Sequence, residues 1–348
     1  MFLRNGRGLL RSTASLVVLV FFMAMVPVRT MAWGSEGHKI TALIAFALLT
    51  PQARNNVIAV LQGKRIDGVA TWPDELKRAG QGCVVPGAPG CNPNYRPETA
   101  QWHFVDIPIQ GDGKFDPQAD YCRSSRYGDC IVPAIEGFRD ILKRSTNKTF
   151  AANGDEQKRK LHDALSFIVH FLGDVHQPLH CADNDDGGGN NVLVSWQGEP
   201  KYTYDDVWNL HSVWDEYLVE RNIMAMDPNQ RTYNRYAESL YDKLSPEERN
   251  YAQLKSSFIQ PGRVENVIAW AEGSHALART SAYNLPSQKV KTSSRGFQKK
   301  DRAGNPIDII VLDENYFKAN VPLVEKQLRL GGVRLARILN EIFDKNIP

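Results

Sequence analysis

The chain has 348 residues, of which 42% are hydrophobic and 23% charged, with a formal net charge of +3; that length supports one large core or two modest ones. Four of the 42 basic residues, Arg4, Arg7, Arg11 and Arg29, and none of the 39 acidic ones fall within residues 1–32. The remainder carries 38 basic residues against 39 acidic and is formally −1, which excludes a chain-wide positive field, so any attraction for phosphate must come from a local site.

Residues 1–32 read as a signal peptide, with a basic start at Arg4, Arg7 and Arg11, an apolar run from Leu16 to Val28, and small residues at Thr30-Met31-Ala32 where cleavage is expected. Removal would leave a 33–348 domain beginning at Trp33, in a secreted or periplasmic location. From Ser35 onward apolar residues recur at three and four in Ile40 to Leu49, Val57 to Leu61, Ile135 to Leu142, Leu161 to Leu172, Val264 to Leu277 and Leu323 to Phe343. Strand patterns are confined to Val192 to Trp196, and to Lys289 to Lys291 facing Ile307 to Leu312 across a basic turn. The expected fold is all-α, a single mostly helical domain with small β excursions.

Two polar stretches, Gly80 to Tyr95 and Ile109 to Asp129, carry most of the cysteines. In an oxidising compartment the simplest pairing is Cys83 with Cys91 and Cys122 with Cys130, and a crossed pairing stays open. Cys181 reads as a small buried residue. Asn147-Lys148-Thr149 has the pattern of a glycosylation acceptor.

Metal-ligand residue types cluster at helical spacing. His170 and Asp174 stand four apart, as do His211 and Asp215, so each pair projects from one helix face one turn apart, where a single ion fits between them. His180 closes the run that begins at His170. Further candidates are Asp74 in Trp72-Pro73-Asp74, at the start of a short helix, His103 in Trp102-His103-Phe104-Val105-Asp106, and His38 five residues after Trp33. Eight such side chains exceed what one four-coordinate zinc takes and imply more than one ion. The amino group of a processed Trp33, with a reference pKa of roughly 8, could add a ligand together with its own carbonyl. His162, His176 and His275 lack a partner at ligand spacing and read as core or supporting residues.

Together these motifs, with Gly188-Gly189-Asn190 and the Gly331-Gly332-Val333-Arg334-Leu335-Ala336 stretch, resemble the zinc-dependent, single-strand-specific nucleases of the S-one/P-one type, related in fold to zinc phospholipase C. The resemblance runs from Trp33 to the last helix and implies three Zn2+ per chain. One would be held by Asp74, His103, His170 and Asp174; a second would share Asp174 and take His38 with the Trp33 amino and carbonyl groups; a third, more open one would take His180, His211 and Asp215. Asp174 and Lys77 are the implied catalytic residues, Lys77 lying near the phosphate, and Phe104, Asp106 and Asn190 the implied substrate contacts, the first two for a nucleobase.

The implied activity is endonucleolytic cleavage of single-stranded DNA and RNA to 5′-nucleotides, with removal of 3′-phosphates from nucleotides, by a monomer. Three Zn2+ against three ligand carboxylates leave a local excess of about +3, enough to draw a phosphodiester to a near-neutral protein. Zinc lowers the pKa of bound water to about 7, so no side-chain general base is required. The rival readings are a zinc phospholipase C, which has no need of the Phe104 and Asp106 slot, and a secreted zinc-binding protein without turnover, for which the open His180, His211 and Asp215 set is unsuited.

Overall fold

A computed structural model describes residues 33–78, 94–123, 130–145, 154–196, 208–254, 266–291 and 308–346. In chain order its helices are α1 (Ser35–Ala47), α2 (Pro51–Val60), α3 (Ile66–Val69), α4 (Trp72–Leu76), α5 (Asp120–Arg123), α6 (Ile131–Ser145), α7 (Asp155–Asp174), α8 (Leu210–Ser212), α9 (Leu218–Met224), α10 (Tyr233–Asp242), α11 (Pro246–Tyr251), α12 (Val267–Leu277) and α13 (Glu314–Phe343). Turns of 3₁₀ helix at Pro97–His103 and Pro178–Cys181, and π turns at Val213–Tyr217 and Ala278–Ala282, extend or join them. The fold is all-α as expected, with one small sheet.

α7 is the axis of the core. Its first turn is polar and solvent-facing, whereas every residue from Ala164 to Asp174 is buried, which is why its second half is apolar all round rather than striped. α6 lies against it, α1 and α13 cross it, and α1 also packs on α10. Two adjacent glycines of α13 let it approach α1 and α7: a Cβ on Gly331 would fall 3.1 Å from Leu172 O and from Thr41 Cγ2, and one on Gly332 2.6 Å from Ile44 Cγ2. Local chemistry sets the helix starts. Thr50 Oγ1 accepts from Ala53 N ahead of Pro51, and Ser245 with Glu248 forms a reciprocal capping box on α11.

β1 (Val194–Trp196), β2 (Lys289–Lys291) and β3 (Asp308–Leu312) form a sheet in the order β1-β3-β2. β2 and β3 pair antiparallel, with Val290 opposite Ile309, as the hairpin pattern predicts; β1 adds in parallel, with Ser195 opposite Val311. Cys122 is bonded to Cys130, which rules out the crossed pairing, and Cys181 is free and buried. Residues 1–32, Cys83, Cys91 and Asn147 lie outside the described residues. Among those described, no helix is long and apolar enough to cross a membrane.

Candidate metal centre

Six pieces of backbone converge on one buried polar cluster beside the last turn of α7. That turn contributes His170 and Asp174; α1 contributes His38, α4 Asp74, the end of the 97–103 turn His103, the 178–181 turn His180, and α8 with the π turn behind it His211 and Asp215. All eight side chains are buried. Trp33 is wholly buried, and Gly34 N donates to Asp215 O at 2.7 Å, so the start of the domain is tied to the π turn. Imidazoles and carboxylates concentrated in a core are costly unless something pairs them.

Hydrogen bonds to backbone fix which ring nitrogens carry protons. His170 Nδ1 donates to Ala70 O at 2.7 Å, leaving Nε2 as a lone pair. That lone pair lies 3.0 Å from His103 Nδ1, 3.1 Å from Asp174 Oδ2 and 3.6 Å from Asp74 Oδ1; His103 Nδ1 is 3.0 Å from Asp174 Oδ2 and 3.7 Å from Asp74 Oδ1. Four ligands at roughly 2.0 Å from a tetrahedral zinc would stand about 3.3 Å apart, which is the middle of this range.

The second group repeats the logic. His180 Nδ1 donates to His103 O at 2.8 Å and His211 Nδ1 to Gly188 O at 2.6 Å, so their Nε2 atoms are both acceptors, yet they face each other at 3.1 Å. Asp215 completes the triangle, 3.2 Å from His211 Nε2 and 3.7 Å from His180 Nε2. Acceptors converging in this way repel unless a cation or added protons stand between them. Between the two groups, His38 Nε2 comes to 3.3 Å from Asp174 Oδ1, and neither His38 nitrogen makes a hydrogen bond. Asp174 Oδ1 and Asp215 Oδ2 are likewise buried without a hydrogen-bond partner. The donor atoms of His38, Asp74 and His170, of His103, His170 and Asp174, and of His180, His211 and Asp215 lie within 4.8 Å of one another in each group. This donor chemistry fits zinc: borderline-soft nitrogen and carboxylate oxygen, in threes and fours.

Ionisation follows the same geometry. Burial lowers His38, His103 and His211, with His103 brought to about 3 by burial and then by Lys77. Burial also opposes charging of His170 and His180, but Asp174 and Asp74 raise the first, and Asp215 and Asp174 the second. Asp174 is held well below the usual carboxylate range, its burial outweighed by His170 and His38; Lys77 and His170 do the same for Asp74.

Lys77 pairs with Asp74 at 2.8 Å, nearly buried, and its charge is felt by both His103 and His211. Phe104 and Asp106 flank Val105, which is wholly buried, while both of them are half-buried. Asp106 faces His180 and Asp183 closely enough to feel both charges; burial, then Asp183, raises it to about 7. Asn190 Nδ2 donates to Gly187 O at 2.7 Å and its Oδ1 is buried without a partner. The other histidines lie elsewhere: His176 bridges Leu172 O and Arg334, His275 lies 3.1 Å from Pro108 O, and His162 contacts Asp163.

Sequence reading missed two side chains that organise the cluster, Gln177 and Asp183. Gln177 Nε2 donates to Asp215 Oδ1, and Asp183 Oδ1 accepts from three successive backbone N–H groups of the 186–188 loop. Each lies three residues from His180 in sequence, but their partners are set only by the folded chain.

Similarity to known proteins agrees with this geometry. The family model described as S1/P1 Nuclease matches residues 33–344. The chain is 30% identical over 323 residues to Nuclease S1 of Aspergillus oryzae, covering 90% of this chain and 92% of that one. It is 27% identical to Endonuclease 3 of Arabidopsis thaliana, covering 94% of each, and 24% identical to Nuclease P1 of Penicillium citrinum, covering 90% of this chain and 99% of that one. With buried His and Asp groups able to hold metal at its centre and a family match over nearly its whole described length, the chain belongs to the S1/P1 nuclease family, hydrolases that act on nucleic acids.

Proposed function

We propose that the chain is a trinuclear-zinc phosphodiesterase that cleaves single-stranded DNA and RNA to 5′-nucleotides and removes 3′-phosphates from nucleotides. The observation that carries this reading is the pair of converging donor-atom sets around His170 and His180, whose charges and lone pairs are paired by cations, or else by added protons, lying among them. Asp74, His103, His170 and Asp174 would hold one zinc; Asp174 and His38, with the amino and carbonyl groups of a processed Trp33, a second; and His180, His211 and Asp215 a third. Bound zinc supplies an activated water at neutral pH and compensates phosphate charge.

The remaining chemistry belongs to the chain's own residues. Asp174 presents one oxygen to each of two groups and fixes their separation. Lys77, held against Asp74, attracts and orients the phosphate. Phe104 stacks on any base, which selects strands whose bases are free to leave the duplex, and Asp106 accepts from the base edge. Removal of residues 1–32, with export to the periplasm or medium as a monomer, would expose the Trp33 amino group beside His38.

Asp174→Asn removes a carboxylate common to two ions. Metal analysis of the secreted protein should find about three zincs per chain in the parent and loss of both neighbouring ions in the variant, with release of 5′-nucleotides from single-stranded DNA and RNA falling in step. A variant that kept its metal and its activity would sink the assignment.

A further inference from the structure

Each of His170, His180 and His211 is oriented by a backbone carbonyl on its far nitrogen, but Asp215 is oriented by a side chain. Gln177 is wholly buried; its Nε2 donates to Asp215 Oδ1 at 2.6 Å while its Oε1 accepts from Leu179 N at 2.6 Å. The second bond is the cap of the 178–181 turn, which carries His180. One amide therefore ties together two of the three side chains facing the third centre, from segments 38 residues apart in sequence. With Oδ1 occupied, Asp215 turns Oδ2, buried and without a hydrogen bond, toward His211 Nε2.

The two ends of this side chain have opposite requirements. A carboxylate demands a donor and a backbone N–H demands an acceptor, so a primary amide satisfies both in one fixed orientation. Glutamate would set a second carboxylate against Asp215, and an apolar residue of the same length would strand both partners. We propose that Gln177 is a positioning residue for the third metal centre, holding Asp215 and the His180 turn in ligating geometry without touching ion or substrate. The inference rests on the trinuclear reading, and partners of this kind change metal affinity by about 10–100-fold.

The test is zinc binding at buffered free Zn2+ by the secreted parent, Gln177→Met and Gln177→Glu, together with kcat and KM on single-stranded DNA. The parent should fill three sites. Both variants should fill two at the same free zinc, with the third weakened about 10–100-fold; kcat should track occupancy of that site and recover when zinc is raised, which loss of fold would not allow. Three sites of unchanged affinity in the variants would overturn the proposal, and so would loss of all three ions together, which would make Gln177 a residue of general stability. A parent that fills fewer than three sites would overturn the trinuclear reading itself, a failure visible before any variant is measured.

Discussion

Asp183 shows how one side chain can set both a loop and a charge. Its Oδ1 accepts from the N–H groups of Asp186, Gly187 and Gly188 at 3.1, 2.9 and 3.0 Å, and the loop it gathers delivers Gly188 O to His211 Nδ1. Gly188 has φ +61°, and a Cβ there would meet Leu179 O at 2.6 Å, so the residue type is dictated twice over. After burial, Asp183 is also the main reason Asp106 rises to about 7. Below its pKa Asp106 carries a proton and donates; above it, the carboxylate would accept from a base edge in the role proposed for it. KM for a base that offers ring-edge donors should therefore fall as pH rises through this ionisation. Asp183→Asn keeps the oxygen that the loop requires but removes the negative charge, so the transition should move to lower pH. Nearby zinc would itself pull the ionisation down without changing that direction. A pH profile of KM for parent and variant checks the sign, and an upward or absent displacement would break the link between Asp183 and the base slot.

At the scale of elements, the close crossing of α1 and α13 sets opposing effects against each other. Replacing a helix glycine by alanine gains about 1 kcal/mol in propensity, but at Gly332 the new Cβ would sit 2.6 Å from Ile44 Cγ2, 2.7 Å from Ile44 Cβ and 3.1 Å from Thr41 O. Overpacking of this kind costs about 1–3 kcal/mol, so Gly332→Ala should lower the urea midpoint of unfolding. Gly137→Ala, on an exposed face of α6 with nothing within 4 Å, should raise it. The same distinction governs what was legible beforehand. The His170/Asp174 and His211/Asp215 pairs were readable because each lies on one continuous helical stretch, α7 for the first and α8 running into the π turn for the second, so the spacing carries the geometry. α10 was readable in principle, since Tyr233, Tyr236, Ala237, Leu240 and Tyr241 recur at three and four behind the Thr232 cap; three of these five are tyrosines, whose polar ends make the stripe look less apolar than it packs. α13 begins nine residues before the apolar pattern at Leu323, since Pro322 lies inside the helix and reads as a boundary. The parallel contact of β1 with β3, and the partners of Gln177 and Asp183, depend on segments meeting in space and leave no local period.

Across the whole molecule, the proposed ions would join α1, α4, the 97–103 turn, α7, the 178–181 turn and the π turn, segments spread from His38 to Asp215. Some of these are tied directly: His103 supplies a ring to the first group and its carbonyl to His180 in the third. Ions that bind the folded chain and not the unfolded one stabilise it by about 2.7 kcal/mol at a hundredfold excess over Kd for each independent site. Removing them leaves His38, His103, His176 and His211 with lowered pKa values in the folded state. These groups take up protons on unfolding below their unfolded value near 6.5, so their contribution is present above that pH and lost as pH falls toward the folded values. His170 and His180, shifted upward, offset part of the loss. Thermal melts of chelated protein should therefore lie below those of the zinc-loaded form and decline further from pH 6.5 toward 4. Zinc titration at pH 7 should raise the midpoint with the logarithm of free metal. A midpoint indifferent to zinc would mean that the fold carries this buried charge without the ions, and the two converging lone pairs at His180 and His211 would then need protons between them at neutral pH, an arrangement that nitrogen-detected NMR of the two rings would show directly.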